Sequence, residues 1–279
     1  MTVRPVSGKQ PESRLEEAID RSTGKEPSRW EPVLYGVGAV VVLFVVWQLY
    51  VTLFHVNRLL LPSPTDIVSS FRTFLASGQF GGDLAASAKE IFGGYLLACV
   101  AGILVGLLAG WYRFFGYAVT PWASFFLAVP IIAITPLIII WVGLNLEAKI
   151  IIVALSAFFP IMLNTMAGVR EIDKRLIRLE RSYSASSLQI FRTLALPSAV
   201  PYTLTGMRIG VCWAIVGVYV AEISNGSSQG IGYMMSTAAA TFQTGQFFVG
   251  LFIIGVTGIL LTSIVGLLQR RLQHGQLAG

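Results

Sequence analysis

Charge is scarce in this sequence. Asp and Glu number 14 and Lys and Arg 20 among 279 residues, 12% in all, about half the share of an ordinary soluble domain. With 54% of residues hydrophobic, too little polar side chain remains to cover a soluble body of this size. Cysteine is nearly absent. Cys99 and Cys212 both lie in apolar runs, which excludes a disulfide framework and any CxxC metal pair. Histidine is as rare, and His55 and His274 stand alone, so no zinc or iron cluster is expected. No G-x-x-x-x-G-K-[ST] sequence occurs, which removes a P-loop and with it ATP hydrolysis by this chain. Paired carboxylates and nucleophile–base constellations are missing as well, which argues against a membrane enzyme. No apolar h-region follows a basic start within the first thirty residues, so no cleavable signal peptide is expected.

The net charge of +6 raises the question of nucleic acid. The basic residues fall between long apolar stretches and form no patch with interleaved aromatics, so nucleic acid is excluded as a partner. What remains is an all-α integral membrane protein. A spanning helix needs about 20 apolar residues, and charge-free runs of that kind recur along the chain. They predict spans at Val33–Phe54, Ile91–Trp111, Ile150–Val169, Thr203–Ala221 and Phe247–Leu268. The run from Phe114 to Leu146 is interrupted by Pro121, Pro130 and Pro136. It is too long for one straight span and too short for two with a turn, so a kinked helix with an irregular section at Pro130 to Pro136 is expected. The count is about six transmembrane helices.

The flanks differ in kind. Residues 1–31 mix Pro5, Pro11 and Pro27 with charges of both signs and few large apolar groups, which predicts a disordered cytoplasmic tail around a short helix at Glu12 to Asp20. The transmembrane domain covers 32–271, and 272–279 form a short cytoplasmic tail. An even number of spans puts both ends on one side. Of the 20 Lys and Arg, that side would hold all but Arg58, Arg72, Lys89 and Lys149, a positive-inside bias that makes both termini and the loop 170–202 cytoplasmic.

That loop is the most informative stretch. Asp173 is placed to cap a helix whose Leu176, Leu179 and Tyr183 share one face. Ser186 with Gln189 three residues on forms a capping box opening a second helix, striped by Leu188, Phe191 and Leu194. Pro197 is expected to end it. Two short amphipathic helices joined near Ser184 and Ala185 would either pack on the chain's own bundle or dock a cytoplasmic partner.

LERSYSASSLQIFRTLALPSAVP, within Glu171 to Pro201, resembles the coupling loop of binding-protein-dependent ABC permeases. LLPSPTDIVSSF, VPIIAITPLIIIWVGLN, FFPIMLNTMAGVREID, GMRIGVCWAIVGVYVAEI and GIGYMM are collinear with it and similar to the nitrate, sulfonate and taurine branch, over about residues 60 to 270. Aligned on LALP, the family's leading Glu falls on Arg178, its two Ala on Leu179 and Glu180, and its Gly on Ser184. Ala185 and Ser186 keep the family pattern. The turn should survive at Ser184, although positive φ costs serine more than glycine.

The resemblance implies the type I importer architecture in a bacterial inner membrane, and an importer permease for a small anion such as a sulfonate, taurine or nitrate. An aromatic carboxylate or a vitamin precursor is the alternative within the class. A secondary transporter lies outside it, and the inverted repeats and ionisable pairs it would show are not visible. The implied partners are two ABC ATPase subunits, which bind ATP and Mg, a second permease copy, an extracytoplasmic binding protein and membrane lipid. ATPase coupling would fall to Arg178, Glu180, Arg181, Ser182, Tyr183, Ser184, Ala185, Ser186 and Gln189. Candidates for the translocation path are Pro130 and Pro136 at the kink, with Trp141, Asn164, Trp213, Tyr219 and Glu222. Glu222 is read as an interfacial residue pairing with Lys149 or capping nearby amides. Asn164 would make an interhelical bond or line a cavity.

Overall fold

In the computed structural model, residues 30–224 and 228–276 are described, and within them every regular element is helical. The predicted tail therefore lies, as far as residue 29, outside the described residues. The first unit, ending at Val56, contains α1 (Glu31–Leu53). Pro32 in its first turn costs it nothing, because an N–H there has no helical partner to lose.

The second unit, from Asn57 onward, begins with α2 (Pro64–Ala76). Ser63 starts this helix through a reciprocal capping box with Asp66, and Pro64 occupies its first turn. There follow α3 (Phe80–Trp111), α4 (Arg113–Ala128), α5 (Ile131–Val142) and α6 (Leu146–Arg170). Beyond these come α7 (Lys174–Ser182), α8 (Ser187–Ile190), a π turn (Phe191–Ala195), α9 (Leu196–Ser224), α10 (Ile231–Ala240) and α11 (Thr244–Gln276). Among the described residues five helical runs are long and apolar enough to cross a membrane, and the bent pair α4–α5, taken as one span, makes a sixth.

The core is a sandwich of three helices, with α6 between α3 and α9. Ala98 and Cys99 of α3, Val153, Ala154, Ala157 and Ile161 of α6, and Ala214 and Val218 of α9 form its buried centre. Small residues draw the axes together. A Cβ on Gly106 would stand 2.6 Å from the Met162 carbonyl oxygen and 2.7 Å from Thr165 Cβ. In a bilayer, where lipid is as apolar as Leu, such close backbone contact replaces the hydrophobic drive. Thr203 Oγ1 donates to Thr165 Oγ1 across α6 and α9 at 3.1 Å.

Several expected boundaries shift. The break in the 114–146 run is confined to Val129 and Pro130, where α4 and α5 meet at 103°. Val129 is extended, as a residue before proline must be. Pro136 sits inside α5 and Pro121 inside α4, so the irregular section is shorter than predicted. The stop expected at Pro197 does not occur. The chain winds from α8 through the π turn into α9 without a break, and Pro197 lies inside that continuous run, two residues past the π turn whose wider winding accommodates it. The second span begins not at Ile91 but at Phe80, carrying Asp83 and Glu90 into the helix. The helix at the C-terminal end runs through Gln276, into the segment read as a tail.

Candidate functional site

The hairpin 171–195 folds as its sequence dictates locally. The Asp173 side chain accepts from Arg175 N–H at 2.7 Å and opens α7. At the other side of the turn, Gln189 N–H donates to Ser186 Oγ at 3.3 Å while Ser186 N–H donates to Gln189 Oε1 at 2.7 Å. Between the two helices Ser184 adopts φ 61°, the left-handed conformation that glycine takes without strain. The chain turns where the resemblance puts a glycine, with a serine bearing the strain. Thr193 Oγ1 donates to both oxygens of Glu180, at 2.7 and 2.9 Å, and ties α7 to the π turn. Glu180 thus has a role inside the hairpin.

The hairpin has two apolar faces. Ile172, Ile177, Phe191, Leu194 and Ala195 pack with Val169, Leu107 and Trp111 of the bundle, and Phe191 meets Trp111 edge to face at 5.2 Å. Arg170 Nη2 donates to the Ala109 carbonyl at 3.2 Å, pinning the end of α6 to the end of α3. The opposite face, Leu176, Leu179, Tyr183 and Leu188, is exposed, Tyr183 to 80%. Arg178, Arg181, Ser182, Ser184, Ser186 and Gln189 share that exposure, and Ala185 is half-buried. The packing on the bundle that the sequence allowed is present on one side, and the other side is exposed.

The residues considered for a path do not gather in one place. Pro130 is at the bend and Pro136 inside α5. Trp141 and Trp213 are exposed. Asn164 donates to Pro160 O of its own helix at 2.8 Å and packs against Gly206, so its bond is intrahelical. Tyr219 and Glu222 border one small pocket with Ser87 and Ile231.

Glu222 belongs to a buried network at the end of the bundle remote from the hairpin. Its Oε1 accepts from Ser87 Oγ and its Oε2 from Gly232 N–H, and it is 1% exposed. Ser87 Oγ in turn accepts from Ile231 N–H at 2.9 Å, and Asp83 Oδ1 accepts from Gly230 N–H at 2.9 Å. Gly230 has φ 126°, and any Cβ there would run into the Glu222 carboxylate, so two separate constraints demand glycine. Lys149 does not pair with Glu222. Its Nζ donates to Glu90 Oε1 at 2.6 Å. Amide capping, the other sequence reading of Glu222, is what the geometry realises. Asp83, Ser87 and Glu90 escaped the sequence reading, although their spacing at i, i+4 and i+7 marks one helix face.

Fold and site together define a multi-pass membrane protein, with helices apolar enough for the bilayer and an amphipathic hairpin packed on the bundle at one end. Residues 102–274 match the family described as binding-protein-dependent transport system inner membrane component. The chain belongs to that family and is the transmembrane permease subunit of an ABC importer. It is 35% identical to a protein named as an aliphatic sulfonates transport permease, SsuC, of Bacillus subtilis (strain 168), over 92% of this chain and 91% of that one. It is 30% identical to the taurine transport system permease protein TauC of Escherichia coli (strain K12), over 89% and 94%. The structure of an amino acid ABC transporter with histidines has the same fold, with a TM-score of 0.55 at 16% identity over 72% of this chain and 97% of that one.

Proposed function

We propose that this permease works as a pair of identical copies seated on two ATPase subunits, and that it imports a small organosulfonate delivered by an external binding protein. The hairpin carries the reading. A short helix pair fixed to the bundle on one face and apolar on the other is suited to sit in a partner's groove and move with it. The sulfonate is supported by the relatives SsuC and TauC, whose names specify aliphatic sulfonates and taurine. The bias of Lys and Arg supports a cytoplasmic hairpin, which leaves the Glu222 network facing outward. Arg178, Glu180, Arg181, Ser182, Tyr183, Ser184, Ala185, Ser186 and Gln189 are the coupling segment. Pro130, Pro136, Trp141, Asn164, Trp213, Tyr219 and Glu222 remain the candidates for the route, and this chain itself holds no cofactor.

Ala185→Glu tests the coupling. The charge lies in the turn and outside the spans, so insertion should be normal while taurine-stimulated ATP hydrolysis and uptake by the reconstituted complex fall by about tenfold or more. Unchanged hydrolysis and uptake would remove the hairpin from the mechanism. Orientation is tested separately. Ser228 is exposed, and Ser228→Cys, with Cys99 and Cys212 replaced, should react with an impermeant thiol reagent in intact cells. Reaction only after lysis reverses the topology.

A further inference from the structure

We infer that Arg113 and Arg170 hold the phosphate of an anionic phospholipid at the hairpin end of the bundle, where α3 turns into α4 and α6 ends. A one-residue turn brings these helix ends together. Tyr112 alone, extended at φ −94° and ψ 108°, separates the last residue of α3 from the first of α4. Arg170 is the last residue of α6, and its Nη2 donates to the Ala109 carbonyl of α3 at 3.2 Å.

The Arg170 guanidinium lies against α4 as well. A Cβ on Gly116 would run into its Nη2 and stand 3.3 Å from its Cζ, so the glycine lets the guanidinium rest on the helix backbone. Arg113, three residues earlier, is the neighbour of Gly116 on the surface of that helix. Its Nη2 donates to Tyr117 Oη at 3.1 Å, and its Cζ stands 5.9 Å from the centre of the Tyr117 ring. Both arginines are exposed. Each is fixed by a neutral partner that occupies one of its several N–H donors, which leaves the rest of the fork for an anion.

No carboxylate neutralises the two. Among the described residues the ion pairs are Arg58 with Asp66 and Lys149 with Glu90. Asp173 caps α7 and Glu180 accepts from Thr193, while Glu171 is exposed. The first turn of α4 carries no acidic residue. Two like charges about one helical turn apart repel each other, and more strongly at the edge of a bilayer than in water. A shared phosphate offsets that repulsion.

The rim of the pair favours a lipid as the source of the phosphate. Tyr112, Phe114 and Tyr117 are exposed, Phe114 to 87%, and aromatic side chains at the ends of spans settle at the headgroup level. Further along α4, Trp122 and Phe125 are exposed and give acyl chains an apolar surface. Lys174 and Arg175, exposed at the start of α7, add positive field, so a headgroup of net negative charge is preferred to a zwitterionic one. Neither Arg113 nor Arg170 belongs to the segment proposed to couple to the ATPase, and the lipid site is independent of the cargo.

Native mass spectrometry of the detergent-purified complex tests the site, with phosphatidylglycerol, phosphatidylcholine and inorganic phosphate titrated in parallel. Phosphatidylglycerol should bind with a midpoint at least about fivefold below that of phosphatidylcholine, and inorganic phosphate at equal concentration should not displace it. Arg113→Gln should raise the phosphatidylglycerol midpoint about fivefold, the factor that accompanies about 1 kcal/mol for one basic residue at a lipid surface. Arg113→Lys keeps the charge and should raise it less. Arg58→Gln, which removes an equal charge beside Asp66, should leave it unchanged. Equal midpoints for the two lipids overturn the proposal, as does an Arg113→Gln midpoint equal to that of the wild type. Displacement by inorganic phosphate overturns the lipid and marks a site for a soluble anion. Loss of the ATPase from Arg113→Gln with phosphatidylglycerol binding intact overturns it in favour of a protein contact. Should a variant fail to assemble, the comparison of the two lipids on the wild type decides.

Discussion

Ser184 offers the sharpest test of how the hairpin is built. It stands at φ 61° between two capped helices. An L-residue pays about 1–2 kcal/mol there, because Cβ crowds the following carbonyl. Ser184→Gly removes that cost but adds freedom to the open state, an opposing effect of about 0.5–1 kcal/mol. The net gain is about 0.5–1 kcal/mol, a two- to fivefold shift toward the ordered turn. Ser184→Val moves the other way, since a β-branched residue at this φ is a true outlier costing about 1–3 kcal/mol. The hairpin can open locally while the bundle stays folded. The measurement is therefore exchange protection of Tyr183 to Gln189 beside ATPase retention on affinity resin, with the melting temperature of the complex as the control. Glycine should raise protection and retention, and valine should lower both, with the melting temperature nearly fixed. A glycine variant less protected than wild type would refute the assignment of strain to this residue.

Other expectations follow from the same geometry. Gly106→Leu forces a side chain against the Met162 carbonyl and should cost about 3 kcal/mol or more, seen as loss of the monodisperse peak in fluorescence-detected size exclusion. Lys149→Met leaves the buried Glu90 carboxyl without its lysine partner and should cost about 3–5 kcal/mol in thermal stability. Adding Glu90→Leu should restore much of it, and a double variant as unstable as the single would show that the pair matters for another reason. At the start of α2, Ser63 Oγ–H donates to Asp66 and, aided by Ser63 N–H and Arg58, holds that carboxyl below its ordinary range despite burial. Its folded pKa is depressed, so the cap's contribution is full above the ordinary value of about 3.9 and is lost as pH falls below it. Exchange of the Asp66 and Ile67 amides should quicken only in that acid range.

How much was legible in the sequence can be judged residue by residue. The caps at Asp173 and Ser186 were readable because they depend on neighbours within three positions. The turn at Ser184 was readable as a turn, and the resemblance pointed to its conformation. The bundle's helices were legible as charge-free runs, but that criterion also hid the network at their far end. Discarding charged residues cut α3 at Ile91 and removed Glu90, Ser87 and Asp83 from the helix that carries them. A Lys149 partner for Glu222, one of its two sequence readings, rests on both standing at span ends, and nothing local in the sequence shows that Lys149 pairs with Glu90. The stop at Pro197 failed for the opposite reason. The proline rule is local, and a π turn absorbed it.

That π turn, Phe191–Ala195, has a mechanical consequence. From Ser187 to Ser224 the chain is one helical run of 38 residues, about 57 Å at the α-helical rise. It is a single shaft that starts in the hairpin and carries Glu222 two residues before its far end. An over-wide turn is the one place in such a shaft where winding can change without a break, and each residue taken up or released rotates everything beyond it by about 100°. Torque applied at the hairpin is thus either absorbed within five residues or delivered whole at the far end, and the winding of that short segment decides which.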